Sequence, residues 1–326
     1  MCTALTLKTK EGYHLFGRNM DIEYAFGQSP VVVPRNFEYI NKADGKMKKT
    51  KYALIGMATV VENHPLFAEA LNEKGLACAG LNFPAAHWED ECVEGKENMP
   101  PYDLIPWIAG NFETIEELRS HLDNLNIVKK PFAENMPLPT LHWIVTDKSG
   151  KSIVIEKTKD SFKVFDNKVG VLTNAPSFDW HTTNLQQYMG VTSTQPESPT
   201  WSDLKLTPLG QGTGGIGLPG DFSSPSRFVR TAFLRSQIVV EENLGVVEFF
   251  HILNNVAMVK GSVITPQNKN DITLYTSCMC QETGLYYYNT YNNNQINVID
   301  MHKENLDSSE LKIYAYNDTQ VFNNMN

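Results

Sequence analysis

The strand candidates in this chain arrive as hairpins. Glu11-Gly12 separates residues 3–7 from 13–18, and Asn72-Glu73-Lys74-Gly75 separates 67–71 from 76–81. A glycine closing such a turn supplies the left-handed backbone that other residues resist. Strands that pair with their sequence neighbours build antiparallel sheets, because parallel pairing needs a long crossover between partners. More strand-forming runs follow at 31–33, 52–60, 141–146, 152–156, 162–165 and 169–173, and again at 272–278, 284–288, 296–299 and 311–316. Helical patterns interrupt them twice. Residues 101–112 predict a first helix. Thr114 and Glu117 then form a capping box ahead of Ile115, Leu118, Leu122 and Leu125, whose spacing sets them on one helical face. Residues 226–239 and 246–258 predict two more. The order predicts an α+β fold: two antiparallel sheets stacked face to face with helices outside, in one domain spanning residues 1–326.

Composition excludes several functions. Lys and Arg number 28 against 37 Asp and Glu, a formal net charge of −9, and no Lys/Arg block exists. Binding to a nucleic-acid backbone relies on clustered cations, so no nucleic-acid partner is expected. No apolar run approaches the ~20 residues of a membrane span. The first residues lack a basic segment followed by a long apolar one, so the expectation is a cytoplasmic protein without a membrane association. The five cysteines, Cys2, Cys78, Cys92, Cys278 and Cys280, are odd in number and sparse, which argues against a disulfide framework. Cys278-Met279-Cys280 is a poor half of a zinc site, and strand alternation sends both thiols into packing on one face. The eight histidines stand singly without metal-ligand spacing. Gly210-Gln211-Gly212-Thr213-Gly214-Gly215 matches the dinucleotide pattern, but no strand precedes it and Pro219-Gly220 follows where the helix should run. It reads as a turned loop in the polar stretch 193–221. No metal and no cofactor are expected.

Cys2 directly follows the initiator Met1. Small second residues permit removal of that methionine, and the mature chain would then begin with a thiol and a free α-amine on one residue. With a thiol near ~8.5 and an α-amine near ~7.7–8.0, the two exchange a proton around neutral pH. The thiolate is the nucleophile, and a base built into the same residue needs no histidine. Four segments accompany it: Phe16-Gly17-Arg18-Asn19-Met20-Asp21, Leu81-Asn82-Phe83-Pro84, Leu172-Thr173-Asn174-Ala175-Pro176 and Pro225-Ser226-Arg227-Phe228. Taken singly they have plain readings. Arg18 and Asp21 fit a solvated ion pair beside a turn, Asn82 and Asn174 fit strand-end caps, and Arg227 fits a surface position in a first helical turn.

Together they resemble the choloylglycine hydrolase family of N-terminal nucleophile hydrolases. The likeness runs over nearly the whole chain, from Met1-Cys2-Thr3 through Leu218-Pro219-Gly220-Asp221 to Tyr286-Tyr287-Tyr288-Asn289-Thr290-Tyr291. Ala175 departs from the Asn or Ser common at its position. The resemblance implies a four-layer αββα sandwich and hydrolysis of the amide of conjugated bile salts, releasing glycine or taurine. It makes Cys2 the nucleophile, Asp21 the acceptor that orients its amine, and Arg18 the cation beside its sulfur. Asn82 and Asn174 would meet the developing oxyanion, and Arg227 would support the edge of the site. A steroid needs an apolar pocket, for which Met20, Val61, Phe67, Phe132 and Leu138 are the candidates. A homotetramer is implied too. Penicillin V acylases share the fold and usually carry Tyr where this chain has Asn82, so that activity is the alternative.

Overall fold

The computed structural model describes residues 1–326. Its two large sheets use β1 (Cys2–Lys8), β2 (His14–Ile22), β3 (Ser29–Val33), β4 (Leu54–Val61), β5 (His64–Asn72), β6 (Ala77–Asn82), β7 (Leu141–Thr146), β8 (Ser152–Lys157), β9 (Phe162–Asp166), β10 (Val171–Leu172), β11 (Ile272–Cys280), β12 (Leu285–Thr290), β13 (Asn293–Asp300) and β14 (Lys312–Ile313). The helices are α1 (Leu104–Asn111), α2 (Ile115–Leu122), α3 (Phe178–Asn184), α4 (Ser224–Gln237) and α5 (Gly245–Asn254). A six-stranded sheet runs β10-β1-β2-β11-β12-β13, and an eight-stranded sheet runs β9-β8-β7-β6-β5-β4-β3-β14. Every pairing in both is antiparallel, as the hairpin pattern predicts.

Alternating side chains divide the interior into two cores. Val32, Ile55 and Leu71 of the eight-stranded sheet pack with Ala4, Phe16 and Tyr275 of the six-stranded sheet, in a core continuous with Phe249 and Leu253 of α5. Val31, Val33 and Leu54 point the other way, onto Leu104, Ile108 and Leu118 of α1 and α2. Helices therefore cover the outer face of each sheet, and the four layers are αββα. Burying each such side chain contributes about 1.5–3 kcal/mol. Cys278 and Cys280 alternate with Tyr275, Ser277 and Met279 along β11 and are both buried on the face away from the eight-stranded sheet, in packing as expected. No helix is long and apolar enough to cross a membrane.

The register shifts at three places: between β12 and β13 near Tyr288 and Thr290, and at two bulges that bear on the site. Between β4 and β5, Met57 pairs with Glu69 and Ala58 with Phe67, so Ala68 is an extra residue. Between β2 and β11, Asp21 pairs with Thr273 and Met20 with Tyr275, so Leu274 is extra. Each extra residue reverses which face the next side chains take.

Local details follow the sequence with some exceptions. The Glu117 amide donates to Thr114 Oγ1 at 3.1 Å, while the Glu117 carboxylate accepts from the Glu113 amide at 2.8 Å. The first predicted helix starts as a 3-10 turn over Pro101–Asp103. Helix α3 was not predicted: it is short, and its first amide is held by Glu156 Oε1 at 2.9 Å. Only Lys312–Ile313 of the strand expected at 311–316 pairs, because the tyrosines beyond it bond through their hydroxyls to Glu304 and to the Leu274 carbonyl. The glycine-rich segment at 210–215 is a 3-10 turn entered through Gly212 at φ 84°. Gly75 closes the β5–β6 turn at φ 92°, and a Cβ there would lie 2.5 Å from the Gln281 carbonyl oxygen. Gly75→Ala is therefore expected to lower stability by about 1–3 kcal/mol. Urea unfolding checks this, and an unchanged midpoint would contradict it.

Candidate active site

The β1–β2 hairpin carries the site. Its register pairs Cys2 with Met20, Thr3 with Asn19 and Ala4 with Arg18. Alternation then sorts the side chains. Arg18 and Met20 turn with the Cys2 sulfur into the space between the sheets. Thr3 and Asp21 turn toward the helices, where Arg227 arrives from the first turn of α4.

Arg18 is fully buried. Its Nη2 donates to Cys2 Sγ at 2.5 Å and lies 3.5 Å from Met20 Sδ. Its Nη1 donates to the carbonyls of Gly80 at 2.6 Å and Ala68 at 3.2 Å. The second carbonyl belongs to the bulge residue of β5, so that bulge supplies part of the cradle. A cation so placed favours a thiolate. Burial opposes the charge on Arg18, but Cys2, Tyr275, Glu69 and Asp21 together hold its pKa above the ordinary guanidinium value.

On the other side, the Cys2 amide donates to Asn174 Oδ1 at 2.8 Å. Arg227 Nη2 donates to the same oxygen at 2.8 Å. Arg227 Nη1 reaches Thr3 Oγ1 at 2.6 Å and the Cys2 carbonyl, and its Nε holds the Phe222 carbonyl at 2.9 Å. Asn174 Nδ2 donates to the Asn82 carbonyl at 2.7 Å. Asp21 Oδ1 accepts from Thr273 Oγ1 at 2.6 Å; its buried Oδ2 has no hydrogen-bond partner but lies 3.8 Å from Arg227 Nη1. A buried acceptor without a donor is costly, and the guanidinium offsets part of that cost. Met1 lies alongside: its ammonium donates to the Asp21 carbonyl and stands 3.6 Å from Asp271, and its own carbonyl accepts from the Asp21 amide at 2.9 Å. The set comprises a buried thiol, a cation beside it and amide groups that fix its backbone, an arrangement compatible with covalent acyl transfer. The family model described as linear amide C-N hydrolases, choloylglycine hydrolase family, matches residues 2–314.

The chain belongs to the choloylglycine hydrolase family. It is 55% identical to a bile salt hydrolase/transferase of Clostridium perfringens (strain 13 / Type A), over 100% of both chains. The crystal structure of the C2A mutant of conjugated bile acid hydrolase from Clostridium perfringens superposes with a TM-score of 0.96, at 55% identity and with 100% of each chain covered. A penicillin V acylase from Agrobacterium tumefaciens shares the fold, with a TM-score of 0.76 at 22% identity, covering 96% of this chain and 90% of that one.

In this member of the family, the structure gathers Cys2, Arg18, Asp21, Asn174 and Arg227 into one buried cluster. Asn82 joins through its backbone carbonyl. Its exposed side chain accepts from Thr140 Oγ1 at 3.1 Å and leaves Nδ2 without a protein partner. Of the expected pocket residues, only Met20 reaches the cysteine. Phe67 is corrected: strict alternation would turn it inward with Glu69, but the Ala68 bulge turns it into the helix-side core at 6% exposure. Phe132 packs edge-on against His64 with ring centres 5.1 Å apart. Leu138 packs against the helix-side core, and Val61 ends β4 half-buried outside both cores.

Two histidines support the site, although their single spacing marks them as ordinary. His142 is fully buried: its Nδ1 meets Glu156 Oε1 at 3.0 Å, and its Nε2 meets the Thr173 carbonyl at 2.8 Å. His181 Nε2 meets the Asn174 carbonyl at 2.9 Å. Burial lowers the His181 pKa to about 4, so the ring is neutral at pH 7 and donates from Nε2. Both rings fix the strand end that presents Asn174. Their partners lie 14 and 7 residues away in the chain, and no local motif marks them.

Proposed function

We propose that this chain hydrolyses the amide bond of conjugated bile salts, giving free bile acid and glycine or taurine through a thioester on Cys2. The observation that carries the reading is the Arg18 guanidinium against the Cys2 sulfur, with the Cys2 nitrogen held by Asn174. The end-to-end likeness to a bile salt hydrolase supports the substrate class. Removal of Met1 converts the Cys2 amide into an amine, and Asp21 Oδ2 offers it a free acceptor. The sulfur attacks the acyl carbon, and the tetrahedral oxyanion is met by Asn174 Nδ2 and by Asn82. One such donor is worth about 2.7–4 kcal/mol in a comparable site. The amine passes its proton to the departing nitrogen. A thioester remains, and water, activated by the neutral amine, releases the acid. No step calls on a metal or cofactor. Met20 borders the acyl side, and Val61, Phe132 and Leu138 stay pocket candidates farther out.

The test sets release of glycine and taurine from conjugated bile salts beside cleavage of penicillin V. Bile salt turnover is expected to exceed penicillin turnover by at least about tenfold, a 1.4 kcal/mol preference. Faster penicillin V cleavage would overturn the substrate reading in favour of the acylase alternative. The proposal includes cytoplasmic residence and a homotetramer. Met189, Trp201, Leu204, Leu209 and Ile216 are exposed along one long connection, which supports self-association over that surface. Light scattering on a sizing column checks it, and a monomer would overturn it.

A further inference from the structure

Glu69 is a fully buried carboxylate that the reaction scheme leaves unused. It projects from β5 into the space between the sheets, one residue beyond the Ala68 bulge. Tyr275 of β11 donates its hydroxyl to Oε2 at 2.8 Å, and Tyr286 of β12 donates to Oε1 at 2.8 Å. The Arg18 Nε lies 4.0 Å from Oε2. Both carboxylate oxygens are thus met by donors with a guanidinium alongside, the partner set of an ionised carboxylate. Arg18 presents one edge to Glu69 and its Nη2 to the Cys2 sulfur, so a single cation is shared by two acceptors in line.

We propose that Glu69 is a positioning residue for the reaction: its carboxylate stands behind the Arg18 guanidinium and tempers the pull of that cation on the Cys2 sulfur. The proposal rests on Cys2 as the nucleophile. The charged and titratable groups around the line are few. Arg18 and Asp21 come from β2, Tyr275 from β11, Tyr286 from β12 and Arg227 from α4, and Asp271 faces the amino terminus just before β11. Two buried guanidiniums therefore stand with two buried carboxylates, Glu69 and Asp21. Removing the Glu69 charge leaves the Cys2 sulfur as the nearest anionic partner of Arg18, which drives the sulfur further toward thiolate. A thiolate held that way is a weaker nucleophile, since nucleophilicity falls with basicity. Burial raises the hold of Glu69 on its proton, and Arg18 and the tyrosine hydroxyls oppose that effect. Burial wins, so the Glu69 pKa stands above the ordinary carboxylate value, and without the tyrosines it would stand higher still.

The experiment follows alkylation of Cys2 by iodoacetamide against pH, resolved by mass spectrometry because Cys92 is also exposed to reagent. No substrate is present, so a failure of the bile salt reading leaves this result untouched. In Glu69→Gln the midpoint is expected to fall by about one pH unit, a tenfold gain in thiolate fraction, as a unit charge is lost from a buried site. With substrate, kcat falls while KM stays near its original value. Glu69→Asp keeps the charge, and its midpoint stays near that of the unmodified protein. A folded Glu69→Gln protein with an unmoved midpoint overturns the proposal, as does a Glu69→Asp midpoint that falls equally. If Glu69→Gln does not fold, Tyr286→Phe decides. It weakens the ionised carboxylate without removing it, so a smaller fall supports the proposal and no change overturns it.

Discussion

Cys2→Ala is expected to remove amide hydrolysis and to leave the fold in place. The sulfur is the only group on the hairpin placed to attack an acyl carbon with a cation against it. Loss of a nucleophile costs on the order of 10⁴-fold or more in turnover, because what remains is binding and oxyanion stabilisation alone. The structural cost is small. Alanine fits the same 4% exposed position, and Arg18 keeps its carbonyl acceptors at Gly80 and Ala68. Released glycine or taurine measures the first effect, and circular dichroism with thermal unfolding measures the second. A folded Cys2→Ala protein that keeps more than about one per cent of its turnover would be incompatible with covalent catalysis at this residue.

An uncleavable extension ahead of Cys2 is expected to reduce turnover by about 10²–10⁴-fold, the usual worth of a positioned general base. While Met1 is attached, the Cys2 nitrogen is an amide. Its one hydrogen goes to Asn174 Oδ1, and it has no basic lone pair. The orphan Asp21 Oδ2 then has no amine to orient. The sulfur keeps its contact with Arg18, so iodoacetamide still modifies Cys2 in the extended protein while hydrolysis is lost. Mass spectrometry of the active enzyme reports its first residue. Full activity in a chain that retains Met1 would refute the role of the amine.

Hairpins were legible because their signals are local. Gly75 and the alternation around it specify a turn without reference to the rest of the chain. The Thr114 cap was legible for the same reason. Cys2, Arg18, Asp21, Asn174 and Arg227 lie on five separated positions, and resemblance rather than periodicity tied them together. The direction of Phe67 was not legible because apolar character alone does not say which face a strand residue takes, and the Ala68 bulge reverses the faces beside it. Glu69 carries no local signal, because a carboxylate in a strand looks solvent-facing and its partners come from the distant β11 and β12. His142 and His181 carry no paired spacing, and each turns one ring nitrogen to a backbone carbonyl near Asn174, a contact no residue pattern records.

Arg227 grips residues 2, 3, 174 and 222 at once, and Asp271 stands beside the Met1 ammonium. A ribosome makes these two side chains in the last third of its work. Until residues 227 and 271 have been made, neither the clasp nor its acidic neighbour can close over the amino end.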